Sequence, residues 1–161
     1  MSVTWKDLAF EPGVTFAQGV AENWEWMTDR KDLTPFLCSK LGDAFCTDVM
    51  GQVHWLDCSG GMVQWITPSR ATFDAECEKN GAKVDLWFGP KLIEKLHNAG
   101  QVAGPGEAYM FLTLPIFEEC EFEPHNFKIL PANEVFIGLS DMHKLYTDIP
   151  DGGRTRHKIV D

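Results

Sequence analysis

Positive charge is scarce in this chain: fourteen Lys and Arg stand against twenty-four Asp and Glu, a formal net charge of −10 over 161 residues. Direct binding to nucleic acid or to an anionic membrane face needs a basic patch, so neither is an expected partner. Long apolar runs are missing too, since no window approaches the ~18 consecutive apolar residues of a membrane span. The opening MSVTWKDLAFEPG lacks a basic stretch followed by an apolar one. No secretory signal is therefore expected, and the cytoplasm is the expected compartment. The five cysteines (Cys38, Cys46, Cys58, Cys77 and Cys120) are odd in number and irregularly spaced. That pattern favours reduced thiols acting as small buried hydrophobes over a disulfide framework.

Catalytic signatures are equally scarce. The sequence holds no G-x-S-x-G elbow, no Walker-type loop, no H-E-x-x-H and no spaced glycine fingerprint after a strand. Gly104-Pro105-Gly106 is a turn and not a phosphate cradle, because Pro105 removes a backbone donor. Catalysis is not expected, nor is a cofactor or metal. Cys46, His54 and Cys58 are the one cluster worth testing as ligands. His54 and Cys58 share a strand face, but four residues at ~3.3 Å each separate them by about 13 Å, too far for one zinc.

What is present suffices for a core: 44% hydrophobic and 12% aromatic residues, six of them Trp. The length fits a single domain spanning 1–161. The most legible stretch is Ala44–Ile66, three apolar-polar alternations separated by turn residues, which reads as a half-buried antiparallel meander. Residues 1–13 read as an irregular lead-in. Val14, Ala17, Val20, Trp24 and Met27 form a helical stripe. Trp26 falls off that stripe and is expected to pack on the segment that follows. Thr34-Pro35 reads as the start of a short helix ending at Gly42. Ser69 is a candidate N-cap for a helix through Phe73 to Lys79, and Val84–Phe88 reads as an apolar knot around Trp87. Gly89-Pro90 opens a helix over Lys91–Asn98, with Leu92, Ile93 and Leu96 buried. Ala108–Leu114 reads as a buried strand, and Phe117–Leu130 as a loop leading into a short strand at Phe127–Leu130. A last helix follows Asn133, with Val135, Leu139, Met142, Tyr146 and Ile149 on one face; Pro150–Gly153 ends it and a mobile basic tail (154–161) follows. The expected fold is α+β, an antiparallel sheet packed by helices.

Two further features stand out. His143, beside the stripe of the last helix, reads as a satisfied core or half-buried histidine. Glu118, Glu119, Glu121 and Glu123 crowd one segment with Phe117 and Phe122 among them. That segment reads either as a solvated loop or as an acidic patch for a protein partner, with the two aromatics as anchors.

Several short words occur in a specific order: WEWM (Trp24–Met27), GDAF (Gly42–Phe45), GQVHWLD (Gly51–Asp57), WFGPKL (Trp87–Leu92), GPG (Gly104–Gly106), EPHNF (Glu123–Phe127) and DMHKLYTDIP (Asp141–Pro150). The set, running from about Val14 to Gly153, resembles a bacterial domain-of-unknown-function family. That family is grouped with the C-terminal domain of an immunity protein that neutralises a type VI secretion DNase toxin. The resemblance implies a non-enzymatic, antitoxin-like protein that binds a toxin, with no catalytic residues to carry over. Phe117, Glu118, Glu119, Glu121, Phe122 and Glu123 are the candidate contact residues. The chain departs from the family at Glu119-Cys120, where a glycine pair is usual, and at Ser140, where a glycine is usual. The alternative expectation is a housekeeping or regulatory domain binding a small molecule or another cellular protein.

Overall fold

Three successive hairpins organise the molecule, whose computed structural model describes residues 3–147. Strands β2 (Thr34–Ser39), β3 (Ala44–Thr47), β4 (Val53–Asp57) and β5 (Met62–Thr67) run antiparallel in sequence order. The meander expected over Ala44–Ile66 is thus present, strand for strand. Two of its turns sit directly on the last helix. Gly42 (φ +89°) and Gly61 (φ +69°) adopt left-handed backbone that side chains disfavour. A Cβ at Gly42 would lie 2.9 Å from Leu139 Cδ1, and one at Gly61 would lie 2.6 Å from His143 Nδ1.

β4 is buried at all five residues, so the half-buried expectation is corrected there: both faces of this central strand are covered, while β5 stays largely exposed. Phe45 and Trp55 form a cross-strand pair. With Phe73 of α3 (Arg70–Lys79) and Trp87 and Phe88 of α4 (Gly81–Phe88) they make an aromatic layer, ring centroids lying 5.0–6.5 Å from Phe45. The other face lies under α2 (Val14–Thr28), which packs on β2 and on α6 (Ala132–Tyr146). The fold is α+β.

Ser69 caps α3 by accepting the Thr72 N–H at 3.1 Å, and Pro90 occupies the first turn of α5 (Pro90–Asn98), both as the sequence indicates. Ile93 and Leu96 are buried as expected. Elsewhere the structure corrects the sequence reading. Thr34–Gly42 is strand β2 and a turn, not a helix. Locally Thr34-Pro35 suits a helix start, but Leu37, Cys38, Ser39 and Lys40 are buried in succession, which a one-sided helix does not allow. Pro35 is tolerated because β2 has no second neighbour there: β1 (Ala9–Phe10) pairs only with Cys38 and Ser39. Residues 1–13 are not irregular throughout; α1 (Trp5–Leu8) precedes β1, with Trp5 edge-on to Phe88 at 4.8 Å. Val84–Phe88 belongs to α4, begun by Asn80, whose Oδ1 accepts the Lys83 N–H at 3.3 Å. α6 starts at Ala132, which places Asn133 inside its first turn.

β6 (Glu107–Phe111), shorter than the strand expected to Leu114, pairs with β7 (Phe127–Pro131). Tyr109 N–H donates to Lys40 O at 2.7 Å and ties this small sheet to the end of β2. The indole N–H of Trp26, expected against the following segment, points to α6. Nε1 donates to Ser140 Oγ at 2.8 Å, and Ser140 donates to Asn23 O at 2.7 Å. Ser140 therefore clasps α2 to α6. Ile149, Pro150–Gly153, expected to end the helix, and the tail 154–161 lie outside the described residues. Among the described residues no helix is long and apolar enough to cross a membrane.

Candidate functional site

The connection between β6 and β7 carries the acidic segment, and one side chain orders it. Asn126, buried at the end of a short 3₁₀ turn (Pro124–Asn126), accepts the Thr113 N–H at 2.8 Å through Oδ1. Its Nδ2 donates to Thr113 O at 3.0 Å and to Glu121 O at 2.9 Å. Leu114 is fully buried below the loop, and tight turns link Phe117 N–H to Leu114 O and Cys120 N–H to Phe117 O. The loop is thus a preformed surface whose backbone is bonded from within.

The structure separates the six candidate contact residues. Phe117 turns inward, edge-on to Tyr146 at 5.0 Å, and is half-buried. Phe122 is 53% exposed and touches only the edge of Phe111 among aromatic rings. Of the two aromatics expected as anchors, Phe122 is the one open to solvent, with exposed Ile116 nearby in the loop. Glu118, Glu119, Glu121 and Glu123 all face solvent. Glu123 meets Lys95 at 3.1 Å and Glu121 meets His125 at 2.8 Å, pairs exposed on both sides. Exposed pairs contribute at most about 1 kcal/mol, so a partner's cation displaces them readily.

A polar cluster that the sequence reading missed lies at the β3–β4 turn. Arg30 grips Asp32 with two bonds of 2.9 and 2.7 Å, and His54 Nε2 lies 2.8 Å from Asp48 Oδ2. Asp48 Oδ1 accepts the N–H groups of Met50 and Gln52. The hydrogen bond from His54 holds the Asp48 carboxyl below the usual range. The residue opposite His54 is Cys46, whose thiol is pushed up to about 12 by burial. A neutral thiol is a poor nucleophile. The evident work of the His54–Asp48 pair is to fix the turn. Among the described residues no group of three His, Cys, Asp or Glu converges as a metal site.

A cleft of about 860 Å³ lies between Phe10, Pro12, Phe16, Lys40, Val102 and Pro105. Lys40 is buried at its wall, where Nζ donates to Gly104 O at 2.9 Å and Glu107 O at 2.8 Å. Burial lowers its pKa, against the raising influence of Glu107 and Asp7.

His143 is buried, as expected, with Nε2 3.1 Å from Ser59 O. Burial lowers its pKa below 6.5, more than the backbone carbonyls and Asp57 raise it. The unfolded chain thus binds more protons there, and folding stability falls as pH drops through about 6.5. Buried Asp43 acts with the opposite sign. Burial and the neighbouring Asp57 raise its pKa, so its contribution falls as pH rises out of the ordinary carboxylate range. The difference between wild type and His143→Gln isolates the histidine: melting temperature should fall more steeply for wild type between about pH 7.5 and about pH 5.5. Parallel profiles would show that His143 does not titrate in this window.

No family model matches the chain, and no curated protein matches it either. The fold is similar to the crystal structure of Atu4351 from Agrobacterium tumefaciens, with a TM-score of 0.60 and 9% sequence identity. The similarity covers 84% of this chain and 67% of that one. At this identity the likeness concerns the fold alone.

Proposed function

We propose that this chain is a non-enzymatic, cytoplasmic immunity-type protein that binds and neutralises a basic, nuclease-type toxin. The observation that carries the reading is the acidic loop clasped by Asn126, which holds four exposed glutamates around an exposed phenylalanine. A preformed loop loses little conformational freedom on binding, and its charges speed encounter with a cationic partner. The net charge of −10 acts in the same direction. The ordered series of family-like words from Trp24 to Pro150 points to the same class of partner.

The expected result is that the product of a toxin gene beside this one co-purifies with the chain at low salt. Replacing Glu118, Glu119, Glu121 and Glu123 together by Gln should slow association by roughly tenfold or more and flatten its salt dependence. If the neighbouring genes hold no toxin and a low-salt pulldown recovers nothing, the reading fails.

The cleft beside Lys40 favours a second reading, a regulatory domain that binds a small molecule between Phe10, Phe16 and Val102. Under it, a metabolite screen raises the melting temperature by several degrees, and a Phe16→Ala variant loses that shift.

A further inference from the structure

A buried ammonium without a carboxylate beside it is costly, and Lys40 is such a group. It is 4% exposed and stands on the wall of the cleft between Phe10, Phe16 and Val102. Two of its three N–H groups go to Gly104 O and Glu107 O, and among the described residues no acceptor takes the third. Glu107 and Asp7 act on it only from a distance and do not offset its burial. Each carboxylate is engaged elsewhere: Glu107 Oε1 accepts the Gly104 N–H at 2.8 Å, and Asp7 Oδ2 accepts the Thr4 N–H at 2.8 Å. Tying down two carbonyls needs only a neutral donor. The charge calls for an anion, and the cleft is where one can reach it.

The open space does not end at Lys40. Its ammonium lies 5.4 Å from the Phe10 ring, Phe16 meets Phe10 edge-on at 5.6 Å, and Phe136 meets Phe16 in the same way at 5.5 Å. Phe16 and Asn133 line both this cleft and a groove of about 300 Å³ between α2 and α6. Val20, Phe136 and Ile137 wall the groove, and Gly19 leaves it open, since a Cβ there would meet nothing within 4 Å. One end of the combined space thus offers a buried cation, and the other almost entirely apolar surface. Between them Ala132 and Asn133 bring the first turn of α6, which has no side-chain cap and adds the positive end of its dipole.

We propose, on the small-molecule reading of this cleft given above, that its ligand is a medium-chain monocarboxylate. The carboxylate accepts the third Lys40 N–H and faces the uncapped first turn of α6. The alkyl tail runs over Phe10 and Phe16 into the groove beside Gly19. An ammonium–carboxylate bond is among the stronger hydrogen bonds, and shielding from water strengthens it further. The tail gains from burial against the three rings. The net charge of −10 does not bar the approach, because at about 0.1 M salt charges more than about 10 Å away are screened. At the mouth of the cleft, exposed Glu11 is opposed by exposed Lys6.

Isothermal titration calorimetry of the full chain with sodium decanoate, below its micelle concentration, tests it. Wild type should bind decanoate saturably, and should bind decanol, of equal tail length but uncharged, roughly tenfold more weakly or worse. Gly19→Leu places a side chain in the groove without touching Lys40. It should weaken decanoate by roughly tenfold or more with unchanged circular dichroism, since excluding even two methylenes costs about that much. Lys40→Met also releases two backbone carbonyls, so circular dichroism comes first; if folded, it should bind decanoate and decanol alike. If it does not fold, the wild-type and Gly19→Leu titrations decide. The proposal is overturned if decanoate does not bind, if it binds no tighter than decanol, or if Gly19→Leu leaves its affinity unchanged. A metabolite without a carboxylate that raises the melting temperature of wild type and not of Phe16→Ala, beside failed decanoate binding, would reject this ligand class while keeping the small-molecule reading.

Discussion

Phe45→Ala is expected to remove about 3–5 kcal/mol of folding stability, toward the upper end of that range. Phe45 is fully buried at the centre of β3, with Trp55 stacked at 6.5 Å and Phe73, Trp87 and Phe88 at 5.0, 5.9 and 5.1 Å. Alanine would lose the transfer free energy of the ring and leave a void that four large rings, held by two helices and a strand, cannot refill. Each aromatic pair also contributes roughly 0.5–1.5 kcal/mol beyond burial. For a chain of this size the loss corresponds to a fall in melting temperature of about 10 °C or more. Urea titration of wild type and variant measures it. A loss below about 1.5 kcal/mol would show that the sheet and α3–α4 are not packed as described. Phe122→Ala is the matched control: the same residue type, exposed, with an expected change within about 0.5 kcal/mol.

Asn126→Ala should cost about 1–3 kcal/mol, since it leaves the half-buried Thr113 N–H and O and the exposed Glu121 O without their partner, and solvent at these sites offsets part of the cost of each lost bond. The damage should be local before it is global. Loop residues 112–125 are expected to become protease-sensitive while the five-stranded sheet keeps its amide protection. The substitution leaves every glutamate in place. If binding of the proposed partner weakens in Asn126→Ala with the charge unchanged, loop order contributes to affinity; if binding is unaffected, charge alone suffices and the clasp serves only the fold. Asn126→Asp keeps the acceptor for the Thr113 N–H but turns a carboxylate oxygen toward Thr113 O and Glu121 O, so it should cost at least as much as alanine.

The reach of the sequence is uneven for physical reasons. The meander was legible because period-two alternation and glycine turns are both local. The cap at Ser69 and the proline opening α5 were legible for the same reason. Thr34–Ser39 misled because a Thr-Pro pair satisfies the local rules for a helix start, and only pairing with β3 shows that Leu37 and Cys38 belong to a ladder. The four-residue α1 and two-residue β1 carry no period long enough to detect. Within the candidate site, the glutamates could be read directly. The inward turn of Phe117 onto Tyr146 and the clasp formed by Asn126 could not, since both depend on residues brought together from separate elements.

Composition and local pattern by themselves determined an acidic chain with an aromatic core, an α+β fold and an antiparallel meander at its centre, because charge balance, side-chain period and turn chemistry act over a few residues. Only the tertiary structure decided that β4 is covered on both faces while β5 stays open, that Ser140 joins α2 to α6, and that no strand lies beyond β5 among the described residues. These follow from packing and strand order, where residues more than a hundred positions apart, such as Trp26 and Ser140, share one hydrogen bond.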